Sequence, residues 1–113
     1  MNISIDYIGC YTEHKEFFDA FAAAMQKDGH RVGIITGERE SKRGEYERNL
    51  GFKPDFMHLW ANEEFIVNGS QWKVDKMNAE QVQLHFDDDA THMKLWTNLW
   101  VVKTLNPADP KKF

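Results

Sequence analysis

Polar and apolar residues alternate at the start of the chain. Ile3 and Ile5 sit between polar neighbours and Tyr7-Ile8 prolongs the β-prone run to Gly9, which predicts a strand over residues 1–8. From Glu13 the period changes. Phe17, Phe18, Phe21 and Met25 fall on one side of a helix, with Thr12 placed to cap its start and Asp28-Gly29 to end it. Arg31-Val32-Gly33-Ile34-Ile35 lacks polar alternation, as in a strand covered on both faces of a parallel sheet, and Thr36-Gly37 closes it as a turn or as a phosphate cradle. The charged stretch from Glu38 to Arg48, ending at Leu50-Gly51, reads as a loop leading into a short solvent-facing helix. Phe56 to Trp60, entered through Lys53-Pro54-Asp55, is a third strand, and Phe65-Ile66-Val67 is a candidate for a small extra one. Asn68-Gly69 signals a turn, and a helix starting near Ser70 puts Lys73 in its first turn. Gln83 to Phe86 leads as a fourth strand into Asp87-Asp88-Asp89, and Leu99 to Val102 is a further strand before Pro107 and Pro110.

Strands that alternate with helices through short connections imply an α/β fold: a three-layer, Rossmann-like, mostly parallel sheet of about five strands with helices on both faces. A chain of 113 residues fits one domain, and 42% hydrophobic residues supply its core without cross-links. The formal charge of −4 argues against a broad phosphate-neutralising surface for nucleic acid but leaves room for a local basic pocket. A single cysteine, Cys10, excludes a disulfide framework and fits a reducing compartment, so a cytoplasmic location is expected. No apolar run approaches the roughly 20 residues of a membrane span, and the start lacks the pattern of a signal peptide.

In open α/β sheets, ligands bind beyond the carboxyl ends of the strands. Asp6, Thr36 and Asp87 to Asp89 are all predicted to lie there. A carboxylate from one strand end and a pair from another make an oxygen-rich pocket suited to a hard cation such as Mg²⁺. Several acids at one edge also repel a phosphate dianion, so phosphate chemistry there needs positive partners: the metal, a lysine such as Lys73, and backbone N–H groups near Thr36-Gly37. With these in place Asp6 can attack phosphorus and form an aspartyl-phosphate.

The runs Ile3-Ser-Ile-Asp-Tyr-Ile-Gly-Cys-Tyr-Thr12, Gly29-His-Arg-Val-Gly-Ile-Ile-Thr-Gly37, Lys73 and Leu84-His-Phe-Asp-Asp-Asp89 resemble, in that order, the four motifs of the haloacid dehalogenase (HAD) superfamily. The resemblance spans residues 3–89. It implies Asp6 as nucleophile and metal ligand, Thr36 as a phosphate-binding hydroxyl, and Lys73 as charge stabiliser, with Lys76 as the fallback. It assigns the metal positions to Asp6, Ile8, Asp87 and Asp88. The order of motifs separates the chain from response-regulator receiver domains, which carry their acidic pair early and their lysine last.

The departures carry information too. The family's phosphatases have a second aspartate, the general acid/base, where this chain has Ile8, and a threonine where it has Cys10. Loss of such a proton carrier is worth roughly 10²–10⁴ in rate, so a slow phosphatase or an inert relative is expected. Neither the interval from Thr12 to Thr36 nor that from Thr36 to Lys73 has space for a cap domain. By analogy an uncapped site suits a large phosphorylated substrate, or a second subunit acting as lid. Gly37 and Arg39 are the substrate-contact candidates, although Arg39, Lys42 and Arg43 also suit a solvated loop. Cys10 is no phosphatase nucleophile, because the phosphate-holding arginine expected six residues on is Glu16. His85 and His92 show no zinc spacing and read as structural or surface residues. Trp60, Trp72, Trp96 and Trp100 are candidates for a binding platform, although large aromatics in a small domain more often complete the core or an oligomer interface. The expected function is thus a capless Mg²⁺-dependent phosphatase working through Asp6. The alternative is a catalytically silent domain of the same fold that binds magnesium with an anionic ligand, or a protein partner.

Overall fold

The computed structural model describes residues 1–61, 64–89 and 100–104, with side chains for 1–61, 71–89 and 101–104. His92, Trp96, Leu99, Pro107 and Pro110 lie outside the described residues, as does the side chain of Trp100. Five strands form one parallel sheet: β1 (Asn2–Ile5), β2 (Arg31–Arg39), β3 (Met57–Trp60), β4 (Leu84–Asp87) and β5 (Trp100–Lys103), in the spatial order β3-β2-β1-β4-β5. Among the described residues, α1 (Lys15–Lys27), α2 (Arg43–Asn49) and α3 (Glu64–Ala79) connect β1 to β2, β2 to β3 and β3 to β4. The α/β class and the parallel sheet are those predicted from the order of elements.

The chain winds outward from β1 to β2 and β3, then crosses back to β4 and β5. Right-handed crossovers in opposite directions place α1 and α3 on opposite faces. Burial follows this division. Ile3, Ile5, Val32 and Ile34 pack with Phe18 and Ala22 of α1, whereas Ile35, Phe56 and Trp60 pack with Trp72 and Met77 of α3. The alternation inside β2, Val32 and Ile34 against Gly33 and Ile35, is the period-two consequence of a strand covered on both sides. Gly33 lacks a side chain because the Phe56 ring occupies its place: a Cβ there would lie 2.3 Å from Phe56 Cδ2.

Several local expectations are corrected. The first strand stops at Ile5, because the chain folds after Asp6 into a wide turn over Tyr7–Tyr11, closed by Tyr11 N–H on the Asp6 carbonyl and Thr12 N–H on the Tyr7 carbonyl, both at 3.1 Å. Gly9 supplies the positive φ (82°) this turn needs. Thr12 does not cap α1; its Oγ1 accepts from Gly9 N–H at 3.0 Å, and His14 is the cap residue. Thr36-Gly37 is not a turn but the continuation of β2, which runs to Arg39 with a register shift against β3 between Ile35 and Arg39. Phe65 to Val67, Asn68-Gly69 and Ser70 all lie within α3, so Lys73 falls in the third turn rather than the first. A lone glycine costs a helix only about 1 kcal/mol, less than the hydrogen bonds a break would lose.

Candidate functional site

The sheet reverses its direction of winding between β1 and β4, and the carboxyl ends of these neighbours carry Asp6 and Asp87. Their alignment follows from register. Ile3, Ser4 and Ile5 pair with Leu84, His85 and Phe86, and Asp6 N–H donates to the Phe86 carbonyl at 2.9 Å. Since side chains alternate, Ser4 and Asp6 share a face with His85 and Asp87, the face covered by α3.

Lys73 reaches these acids from α3. Its Nζ donates to Asp87 Oδ2 at 2.8 Å and to Asp6 Oδ1 at 3.2 Å, with all three residues buried. Behind Asp87, His85 Nε2 lies 2.9 Å from the same Oδ2 and His85 Nδ1 lies 2.6 Å from Ser4 Oγ. With Nε2 directed at the Asp87 carboxylate, the other ring nitrogen is left to the serine hydroxyl. Asp89 N–H fixes Asp87 Oδ1 at 3.0 Å. On the other side, buried Thr36 favours the ionised form of the Asp6 carboxyl. A continuous buried chain of hydrogen bonds therefore runs Ser4, His85, Asp87, Lys73, Asp6.

Electrostatics separate the two acids. Burial pushes the Asp6 carboxyl up to about 7; Lys73 pulls it down, and the nearby Asp87 charge pushes it up. Burial also opposes ionisation of Asp87, but hydrogen bonds from His85 and Lys73 together with their charge hold its carboxyl well below the usual range. Desolvation disfavours the Lys73 ammonium, yet the Asp6 and Asp87 carboxylates more than offset it and its pKa is raised. Asp87 is thus a fixed anion and Lys73 a fixed cation. Asp6 is the group whose charge is poised.

Asp6, Asp87 and Asp88 each offer an oxygen within 4.8 Å of the others. Asp88 leans over the turn: a Cβ on Gly9 would lie 2.4 Å from Asp88 Oδ2, a second reason for glycine there. Asp87 Oδ2 is taken by two donors and Oδ1 by one, which leaves that carboxylate a single lone pair for a further partner. A hard cation that keeps several waters fits this donor set.

Of the residues singled out in the sequence, Asp6, Thr36, Lys73, Asp87 and Asp88 converge. Lys76 does not join them; its ammonium lies over the Trp72 ring. Gly37 and Arg39 are engaged elsewhere, the Gly37 carbonyl accepting from the Trp60 indole N–H and the Arg39 guanidinium lying over the Trp60 ring. Ile8 turns a half-exposed hydrocarbon side chain outward. Cys10 is fully buried, and its thiol pKa is pushed up by that burial. Ser4 and His85 were not singled out as a pair; polar residues two apart in otherwise apolar strands, Ser4-x-Asp6 and His85-x-Asp87, are the signal that would have found them. Among the described residues no helix is long and apolar enough to cross a membrane. Compared with protein-family models, curated proteins and solved structures, the chain matches none, so fold and geometry alone carry its reading.

Proposed function

We propose that this chain is a HAD-like, magnesium-dependent phosphatase that transfers a phosphoryl group to Asp6 and then to water. The observation that carries the reading is Lys73 held between Asp6 and Asp87 at the switch point of a parallel sheet. The lysine charge offsets the repulsion between a carboxylate nucleophile and an anionic substrate, and the Thr36 hydroxyl beside Asp6 is placed to donate to a phosphoryl oxygen. Asp6 and Asp88, with the remaining lone pair of Asp87, would hold magnesium. When bound, the ion supplies positive charge to the transferring group. The ionised form of Asp6 is the nucleophile, so attack strengthens as pH rises through its titration. Ile8 offers no proton to a departing alkoxide, and turnover of ordinary esters is correspondingly slow. The substrate is a phosphorylated molecule, large enough to make use of an open site, and a cytoplasmic location fits the lone buried thiol.

A silent domain of the same fold is the second reading, and it draws on the 6% exposure of Asp6 together with the hydrocarbon at position 8. In that case the trio binds magnesium with an anionic ligand, or the surface binds a protein. Hydrolysis of an aryl phosphate with and without Mg²⁺ separates the two. Mg²⁺-dependent turnover that disappears in Asp6→Asn is expected. Turnover that survives Asp6→Asn removes the nucleophile assignment, and none across a phosphate panel favours the silent domain.

A further inference from the structure

The turn after Asp6 carries no carboxyl, imidazole or ammonium group. Tyr7 is buried, with its hydroxyl accepting from Asn49 Nδ2 at 2.8 Å; Cys10 is fully buried; the Tyr11 hydroxyl donates to Asp19 Oδ1 at 2.5 Å. Only Ile8 projects outward, 48% exposed. It lines a cleft of about 440 Å³ between this turn and α2. One wall is aromatic: Tyr7 and Tyr46 stack with ring centroids 4.1 Å apart. The cleft's charged groups are Glu45 and Arg48. Glu45 is paired with Lys42 at 3.7 Å, whereas Arg48 forms no ion pair among the described residues. The cleft therefore combines a hydrocarbon, an aromatic wall and an unpaired guanidinium, and the Ile8 that lines it follows Asp6 by two residues in the chain.

We propose that this cleft receives the leaving group, and that the substrates are phosphoric anhydrides whose leaving group departs as a stable anion, a carboxylate or a phosphate. The inference rests on the hydrolase reading and narrows its substrate class. An alkoxide leaving without a proton is a poor leaving group, and Ile8 cannot supply one; a carboxylate or phosphate needs none, and the Arg48 guanidinium in the cleft offers it a counter-charge. The Asp6 oxygen forms its bond to phosphorus as the bond to the leaving oxygen breaks, and that electron pair leaves with the carboxylate or phosphate. The aspartyl-phosphate is itself an acyl phosphate. Water attacks its phosphorus, the bonding pair returns to the Asp6 carboxylate, and both water protons depart on dihydrogen phosphate. Neither step calls on a general acid.

The test is kcat/KM in magnesium buffer for acetyl phosphate, pyrophosphate and glycerol 2-phosphate, with the rate of Asp6→Asn subtracted. At least one anhydride is expected to exceed the ester by about 10²-fold or more, the size of the missing acid's contribution; which anhydride does so separates acyl phosphates from phosphoanhydrides. Ile8→Asp narrows that ratio at least tenfold by accelerating the ester. Arg48→Ala, at an exposed position, lowers kcat/KM for the favoured anhydride about tenfold with circular dichroism unchanged. An ester turned over as fast as both anhydrides, or a ratio that Ile8→Asp does not move, overturns this proposal and leaves the hydrolase reading standing. Absence of Asp6-dependent turnover of all three overturns both.

Discussion

Lys73 illustrates how a buried cation is tolerated. Its ammonium has two carboxylate partners at hydrogen-bond distance, and removing it leaves two acids in a dry place with nothing between them. Breaking a buried pair from one side costs about 3–5 kcal/mol, so Lys73→Met is expected to lose stability on that scale in urea unfolding. Asp6 behaves in the opposite sense. Its folded carboxyl is raised from 3.8 to about 7, so between those values the folded state holds a proton that the unfolded chain has released. Stability from this group falls as pH rises through that window, and ionised Asp6 is a burden above it. Asp6→Asn is therefore expected to raise the melting temperature at pH 8 by roughly 5 °C or more while abolishing turnover; an unchanged or lowered value would contradict a strained buried carboxylate. In the metal-free protein, carbon-13 NMR should follow the Asp6 carboxyl through a midpoint near 7. Asp87 contributes with the reverse sign: its lowered carboxyl adds stability above the ordinary value of 3.8, lost as pH falls below it.

Elements bring these residues together through register. Ser4 stands opposite His85 because β1 and β4 pair as they do, and a slip of one strand by one residue would put Asp6 and Asp87 on opposite faces of the sheet. Ser4→Ala leaves His85 Nδ1 without its 2.6 Å partner inside the sheet, and a loss of about 1–3 kcal/mol is expected in thermal or urea unfolding. Gly33→Ala drives a methyl into the Phe56 ring and should cost about 1–3 kcal/mol; the double variant Gly33→Ala with Phe56→Leu should recover part of it, which a purely conformational effect of glycine would not allow. Apolar spacing made α1 and the five strands legible, and a run of charge marked the short α2. Spacing failed at α3, where a short apolar run and Asn68-Gly69 imitate a strand and a turn. There the helix is continuous and packs Trp72 and Met77 against β2 and β3, so tertiary burial overrides a weak local preference. Thr36-Gly37 misled in the same manner: a glycine in a pairing strand looks like a stop until its neighbour strand is known.

At the scale of the molecule, the charge of −4 gains a location, since Asp6, Asp87 and Asp88 share one sheet edge with a single lysine among them. A cation bound there would act on the folded state alone. If it binds, Mg²⁺ at about 100 times its dissociation constant adds about 2.7 kcal/mol, seen as a melting temperature that rises with magnesium and returns on chelation. Asp88→Asn should abolish that rise, and a rise that persists would place the ion elsewhere. By itself the sequence determined the α/β class, the strand sites and the fact that acids end two of the strands, because those properties follow from local spacing of apolar residues and from chemistry at the ends of runs. Only the tertiary structure decided that Lys73 rather than Lys76 meets those acids, that His85 and Ser4 stand behind Asp87, and that Gly37 and Arg39 belong to Trp60. The reason is physical: contacts between residues 67 and 81 positions apart depend on sheet register and helix rotation, which no local pattern encodes.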